Sequence, residues 1–279
     1  INKLIVPKQG FDEFHIHDEE NDDLTSNHIS LLNQMKKISN EKNFFLYLHF
    51  SNIHTGIKKE VLDVYHNHSE EFFKNNELNR NRYSKLFYKA EIYLESILNE
   101  IKKLSLDDDT LILIMSDHGV STGEKFGEHA YGAFCYDYTL RTFTYFLSND
   151  LPSIEIKQQT RTIDFLPTIL DILKIPLDNN SDNLDGVSLL PLINGSSTPE
   201  NFAFSETGNP LYDKVPPKEP NVKSIRTSKW KLIFNEHDDT KELYNLEQDP
   251  DENNNLIDTG EKIQDSLWEN LTQLIKTQD

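Results

Sequence analysis

Residues 111–129 read LILIMSDHGVSTGEKFGEH, and the interpretation of the whole chain begins with this stretch. An apolar run ends abruptly at Ser116 and is followed by Asp117, His118 and Gly119. A short apolar run bounded by turn residues is typical of a buried β-strand. Open parallel sheets bind ligands at the carboxyl ends of their strands, so this exit predicts a functional site. An ordinary strand-to-loop exit with solvated polar residues is the alternative interpretation.

Upstream of this stretch, the chain carries a second apolar run and a long amphipathic segment. Residues 44–50 read FFLYLHF and lead into His54, which predicts another buried strand with a histidine at its exit. Residues 82–104 place apolar side chains at helical spacing, ahead of the strand at 110–115. A strand, a helix and a strand in this order predict a right-handed crossover, and therefore an α/β fold with a mostly parallel central sheet flanked by helices. A further strand is predicted at 143–147 and a further helix at 163–173.

The pattern changes after about residue 199, where short alternating segments separated by turn residues begin. Such segments predict a small antiparallel sheet. A closing helix is predicted at residues 261–276. We therefore expect a domain at 1–199 and an antiparallel α+β subdomain at 200–279. The predicted strands are 202–206, 222–227, 230–235 and 242–246.

Composition excludes several classes of function. The chain has 279 residues and a formal net charge of -19, which argues against nucleic acid or an anionic membrane surface as a partner. No apolar run approaches the roughly 20 residues that cross a bilayer. The single cysteine, Cys135, allows no intrachain disulfide. Without a visible signal segment or disulfides, a cytoplasmic location is expected, although the chain begins at Ile1 and is expected to lack its own N-terminus.

The types of residue at the strand exit suit a metal site. A carboxylate and an imidazole side by side, as in Asp117 and His118, can both ligate one divalent cation. Gly119 permits a tight turn next to them. On spacing alone, a turn or a helix cap is the more common explanation of Asp-His-Gly.

Several stretches, taken in order, resemble the second half of a sulfatase of the alkaline phosphatase superfamily. The resemblance covers nearly the whole chain, and it implies an alkaline phosphatase-like fold for residues 1–199. The stretches are FFLYLHFSNIHT (44–55), TLILIMSDHG (110–119), GEH (127–129), YDYTLR (136–141), TIDFLPTILD (162–171), SIRTSKWKL (224–232) and ELYNLEQDP (242–250).

The resemblance implies roles for five residues. Asp117 and His118 fall on two ligands of the family's divalent metal. His54 falls on a histidine that contacts the transferred sulfate or protonates the leaving oxygen, and His129 falls near the same pocket. Both histidines are therefore catalytic and substrate-binding candidates. The family has a lysine or histidine at the place of Gly132 here, and Lys125 or His129 is the candidate replacement in holding the sulfate.

One feature of the family is missing from the sequence. Its nucleophile lies in a Cys-or-Ser-x-Pro-x-Arg motif and is oxidised to formylglycine, whereas Cys135 is followed by Tyr136 and Asp137. The chain is therefore expected to be a fragment that lacks turnover and holds part of the metal shell. Calcium is the family's usual ion, and the imidazole of His118 leaves manganese or zinc possible.

The resulting prediction is a sulfatase-like hydrolase of small-molecule or saccharide sulfate esters. A phosphodiesterase, phosphonate hydrolase or phosphotransferase of the same superfamily is the first alternative, because the Asp-His-Gly element is shared across it. A degenerate, non-catalytic binding domain is the second. The sequence leaves the substrate and the oligomeric state open.

Overall fold

The computed structural model describes residues 10–18, 21–65, 70–176, 184–210 and 217–278. The chain divides into two compact units, Ile1–Leu106 and Asp107–Asp279. The first unit contains helices α1 (Leu24–Ser39), α2 (Asn52–Gly56), α3 (Glu70–Lys74) and α4 (Asn76–Lys103), with a π-helical segment at Ile57–Leu62. The second unit contains strands β1 (Ile112–Met115), β2 (Thr144–Leu147), β3 (Ala203–Thr207), β4 (Val222–Arg226), β5 (Trp230–Asn235) and β6 (Thr240–Asn245). Its helices are α5 (Asp137–Leu140), a 3-10 turn at Thr162–Asp164, α6 (Phe165–Ile172), α7 (Leu190–Ile193) and α8 (Ile263–Gln278).

Helices α1 and α4 pack together in the first unit. The side chain of Asp23 caps α1 by accepting a hydrogen bond from the Ser26 N–H at 3.2 Å. Buried His28 on α1 and buried Tyr93 on α4 share a hydrogen bond of 2.8 Å. The long helix is confirmed, and it begins at Asn76, earlier than predicted, because its first turns are polar and add nothing to the apolar spacing.

The predicted strand at residues 44–50 is wrong, since these residues form neither a strand nor a helix. Their side chains alternate in exposure, and Phe45 and Tyr47 are 74% and 64% exposed. An apolar run indicates a tendency to be buried, but a strand also requires a hydrogen-bonded neighbour. The run itself does not specify that neighbour.

Strands β1 and β2 are both confirmed, but their pairing differs from the prediction. They pair antiparallel, with Ile112 opposite Leu147 and Met115 opposite Thr144. All strand pairs among the described residues are antiparallel, so the expected parallel pairing is not what these strands form. The connection from β1 to β2 is long enough for a crossover, but it holds only the four-residue helix α5, whereas parallel strands are usually joined through a full helix.

One face of the β1–β2 pair lies on an apolar cluster. Phe146 on β2 packs edge-on against Phe165 of α6, with ring centroids 6.0 Å apart. Leu189 and Ile193 are buried in the same cluster. The predicted helix at 163–173 is confirmed as α6, and Pro167 sits in its first turn, where a missing N–H costs nothing.

The C-terminal sheet and its closing helix are confirmed. The strands are ordered β3-β4-β5-β6, and each neighbouring pair is antiparallel. Leu267 and Leu271 of α8 pack on Leu232 and Leu243 of the sheet, and all four side chains are 0% exposed. The amphipathic spacing of α8 thus buries one face of the sheet. The predicted domain boundary near residue 199 stays a prediction.

Among the residues that the structure describes, none of the helices has both the length and the apolar character that crossing a membrane requires.

Candidate functional site

Asp117 and His118 lie where β1 ends, and their side chains face each other. The Nε2 atom of His118 is 3.5 Å from Oδ2 of Asp117, and the side chains are 46% and 74% exposed. The Asp117 Oδ1 accepts the His118 backbone N–H at 2.9 Å. On the other side of the ring, Nδ1 of His118 lies 2.7 Å from the carbonyl oxygen of Gly119. A carbonyl only accepts, so Nδ1 carries the hydrogen of this bond, and Nε2 has a lone pair whenever the ring is neutral.

Gly119 holds this segment against helix α5. Its N–H donates to the carbonyl oxygen of Thr139 at 2.8 Å. A Cβ atom at position 119 would lie 2.2 Å from the carbonyl oxygen of Tyr138, which no side chain tolerates. Glycine is required here because the two backbone segments touch.

The Gly127-Glu128-His129 element is organised around a buried carboxylate. Glu128 is 0% exposed, and it accepts hydrogen bonds from the N–H groups of Ala133 and Phe134 and from the Tyr138 hydroxyl. Burial raises the pKa of Glu128 above its usual value, although these three donors act in the opposite direction. Glu128 therefore ties the loop together, and the partly buried His129 is its neighbour in the chain.

Lys125 is directed towards the C-terminal segment. Its ammonium group donates to the carbonyl oxygen of Glu252 and to Oδ1 of Asn253, the latter at 3.3 Å. It also lies 5.1 Å from the ring centroid of Tyr136. The role of Lys125 in sulfate binding stays a prediction. In the structure, its ammonium group contacts the C-terminal segment and the ring of Tyr136.

Cys135 is unsuited to nucleophilic chemistry. Its side chain is 1% exposed, and burial raises the pKa of the thiol to about 12. The thiolate is the reactive form of cysteine, so a thiol in this environment is inert near neutral pH.

A small pocket of about 220 Å³ lies beside His118. The ring of Tyr131 meets the imidazole of His118 edge to face, with centroids 5.9 Å apart. Cys135 and Thr139 also line this pocket, and Glu206 contributes a carboxylate to it. The lining residues are His118, Tyr131, Gly132, Cys135, Thr139, Leu140, Glu206 and Thr207.

His54 lies on α2 in the first unit and is exposed. Gly56 lets α2 approach α4 closely, since an added Cβ would lie 2.6 Å from a methyl group of Leu86. The other four predicted site residues belong to the second unit. The predicted meeting of His54 with Asp117 and His118 therefore stays a prediction.

Sequence reasoning missed a group of three buried charges and one partly buried charge in the second unit, here called the charge lock: buried Asp137, Lys231 and Glu252, and partly buried Arg226. Lys231 is 0% exposed and lies 3.0 Å from Asp137 Oδ1 and 2.8 Å from Glu252 Oε1. Arg226 donates two hydrogen bonds to Asp137, from Nε to Oδ1 at 2.9 Å and from Nη2 to Oδ2 at 2.7 Å. Lysine and arginine inside otherwise apolar strands were the available signal, because buried charges are normally paired.

The charge lock shifts the ionisation of its carboxyl groups in opposite directions. Burial acts to raise the pKa of Asp137, but hydrogen bonds and charges from Arg226 and Lys231 outweigh it and lower the value to about 2. Burial raises the pKa of Glu252, and Lys231 offsets this only in part. Asp137 is thus held as a carboxylate at all ordinary pH values.

The predicted role of Asp117 and His118 as metal ligands stays a prediction. Within the described ranges, no group of three or more His, Cys, Asp or Glu side chains is placed to hold a metal ion. The donors that are present suit a cation, since a neutral imidazole that donates its other N–H to a backbone carbonyl is the usual state of a metal-binding histidine.

Two family models match the chain. The sulfatase family model matches residues 6–175, and the model described as N-sulphoglucosamine sulphohydrolase, C-terminal, matches residues 127–277. The chain belongs to the sulfatase family.

A curated relative and three solved structures illustrate the likeness. Choline-sulfatase of Rhizobium meliloti (strain 1021) is 30% identical over 183 residues, which cover 63% of this chain and 34% of that protein. A sulfatase-type structure, YidJ of Bacteroides fragilis, aligns with a TM-score of 0.71 at 20% identity, covering 92% of this chain and 58% of that one. The structure of BT4656 in complex with its substrate D-glucosamine-2-N,6-O-disulfate aligns with a TM-score of 0.55 at 25% identity, covering 71% and 41%. The phosphonate monoester hydrolase of Silicibacter pomeroyi aligns with a TM-score of 0.57 at 22% identity, covering 72% and 41%.

These likenesses confirm the predicted alkaline phosphatase-like fold class, and they show that the matched relatives are sulfatases, which are hydrolases. The chain spans about a third of the length of the curated relatives it matches, 34% for choline-sulfatase.

Proposed function

We propose that this chain is part of a metal-dependent sulfatase that hydrolyses sulfate esters, and that it lacks turnover by itself. The observation that carries the proposal is the pair of donors at the end of β1. The Nε2 lone pair of His118 and the Oδ2 of Asp117 lie 3.5 Å apart on an exposed edge beside a pocket. The family match makes sulfate-ester hydrolysis the reaction that fits this pair.

Asp117 and His118 would hold the cation. Calcium is favoured as the usual ion of the family, and the imidazole ligand keeps manganese and zinc as candidates. A bound divalent cation would stabilise the negative charge that develops during transfer of the sulfuryl group. The remaining ligands would come from a segment outside this chain, because two donors alone make a weak site.

The histidines of this chain would move protons and bind the sulfate. We propose that His54 contacts the transferred group or protonates the leaving oxygen, a task that suits an imidazole near neutral pH. His129 would act near the same pocket, and Lys125 or His129 would supply positive charge to the sulfate. The nucleophile, a formylglycine, would lie outside this chain, because Cys135 is buried and has the wrong neighbours.

Calorimetric titration of the 279-residue chain with calcium, manganese and zinc tests the metal site. We expect Asp117→Ala and His118→Ala each to weaken the metal affinity by about tenfold or more. Loss of a group that only hydrogen-bonds to a metal ligand already costs about that much, and loss of a ligand should cost at least as much. Asp109→Ala is the matched control, since it removes another exposed carboxylate near the start of β1. Equal affinity in all four proteins would remove Asp117 and His118 from the site.

The substrate class is also a proposal. The names of the relatives point to small-molecule and saccharide sulfate esters, since one acts on choline sulfate and another binds a glucosamine disulfate. The likeness to a phosphonate monoester hydrolase keeps phosphonate and phosphate esters as the second candidate. Assay of the complete enzyme with matched aryl sulfate and aryl phosphonate substrates distinguishes them, and turnover of neither would support a non-catalytic binding domain.

A further inference from the structure

We propose that the charge lock positions the imidazole of His118, through helix α5 and Gly119. The four residues of the lock are positioning residues, because none of them touches the proposed metal pair. The consequence for metal affinity rests on the proposed function, whereas the consequence for the imidazole tautomer does not.

The lock fixes the first residue of α5 from both sides. Asp137 receives Arg226 and Lys231 on its carboxylate, and its backbone N–H donates to Oε2 of Glu252 at 2.7 Å. Arg226 is itself held by Gln159, whose Oε1 accepts from Nη1 at 2.6 Å. Two anions and two cations balance, so the cluster can stay buried without a net charge.

Helix α5 needs such an anchor. It has four residues, too few for a helix to be stable without tertiary contacts. Thr139 sits in its middle and is buried, and its hydroxyl donates to the Tyr136 carbonyl oxygen at 3.0 Å. The carbonyl oxygen of Thr139 then accepts the Gly119 N–H at 2.8 Å. The position of the Gly119 peptide is therefore set by the lock.

The carbonyl oxygen of Gly119 selects the tautomer of His118. Free neutral imidazole in water prefers its hydrogen on Nε2, the atom that faces Asp117. The shorter hydrogen bond of 2.7 Å from Nδ1 to Gly119 favours the other tautomer, against the Asp117 carboxylate, which lies 3.5 Å from Nε2 and favours a hydrogen there. Movement of α5 would release Gly119 and let the imidazole return to the solution tautomer, which donates at Nε2 and cannot ligate there.

Nitrogen NMR of the metal-free chain, labelled at histidine and held at pH 8, reads this tautomer directly. In the wild type, we expect the chemical shift of an unprotonated Nε2 in His118. Glu252→Gln keeps the shape of a lock residue and removes its charge, and Lys231→Met removes the central cation. Both should move the Nε2 signal towards the protonated value and lower metal affinity by about 10-fold to 100-fold.

Lys229→Met is the matched control. Lys229 pairs with Glu247 at 2.8 Å, but the two side chains are 52% and 66% exposed. Its NMR signals and metal affinity should equal those of the wild type. If Lys231→Met does not fold, Glu252→Gln and Arg226→Gln decide the question, the latter by removing two hydrogen bonds to the Asp137 carboxylate.

Two results separate the two proposals. A folded Glu252→Gln protein with the wild-type tautomer would overturn the positioning role. A tautomer that changes with the lock, together with a metal affinity that is the same in the wild type, Asp117→Ala and His118→Ala, would uphold the positioning role and overturn the metal site.

Discussion

Replacing Lys231 by methionine should destabilise the second unit strongly. The substitution keeps most of the aliphatic stem and removes an ammonium group that is 0% exposed and lies within 3.0 Å of two carboxylates. Asp137 retains Arg226, but Glu252 retains only the Asp137 N–H among the lock contacts. Removing one partner of a buried ion pair typically costs about 3–5 kcal/mol, because the other charge stays buried and uncompensated.

Protonation of Glu252 limits this cost. Bringing a carboxyl group with a pKa of 4.5 to the neutral form at pH 7 costs about 3.4 kcal/mol, which is 2.5 units at about 1.36 kcal/mol each. We therefore expect a loss of about 3 kcal/mol at pH 7. Loss of Lys231 raises the folded pKa of Glu252 further above its unfolded value, so the folded variant binds a proton more readily as the pH falls. The difference in free energy of unfolding between the variant and the wild type should therefore become smaller as the pH falls from 7 to 5.

Tryptophan fluorescence during urea unfolding measures this loss in the second unit, because both tryptophans, Trp230 and Trp268, lie there. Lys229→Met is again the control, and an exposed pair is worth about 0–1 kcal/mol. Equal midpoints for Lys231→Met and Lys229→Met would show that the buried charges do not stabilise the unit as described.

Two further predictions concern buried groups. Burial, with smaller effects from His17 and His49, lowers the pKa of His28 from 6.5 to about 4. The neutral His28 side chain therefore contributes its full stability above pH 6.5, and this contribution is lost as the pH falls towards 4. From these two values, the opening free energy of α1, measured by hydrogen exchange, should fall by about 2 kcal/mol between pH 7.5 and pH 5. His28→Asn should remove this pH dependence. If the variant showed the same pH dependence as the wild type, His28 would not be its source. Cys135 should resist thiol reagents at pH 8 in the native chain and react fully in urea, because burial raises its pKa to about 12; rapid native labelling would contradict its burial.

Local patterns in the sequence predicted the elements of the C-terminal sheet well. The alternation at 230–235 became β5 with the same bounds, and the closing helix became α8. These elements depend on periodicity within a few residues, and each buries one face on its neighbour. The strand predicted at 44–50 was wrong because a strand needs a hydrogen-bonded partner strand, and the apolar content of the run gives no information about such a partner.

The candidate site shows the same division. Asp117 and His118 were predicted at a strand exit, because an abrupt change from apolar to polar residues is a local signal, and the structure places both there. The charge lock was missed because it joins distant positions, and Asp137 and Lys231 are 94 residues apart in the chain.

The amino-acid sequence was therefore enough to identify the family, to predict most of the helices and strands, and to place Asp117 and His118 at the end of a strand. The pairing of the strands, the contacts of the His118 ring and the grouping of the buried charges became visible in the folded chain. The physical reason is that periodicity and residue type act over a few neighbouring residues, whereas pairing, desolvation and ion-pair geometry depend on groups that folding brings together from far along the chain.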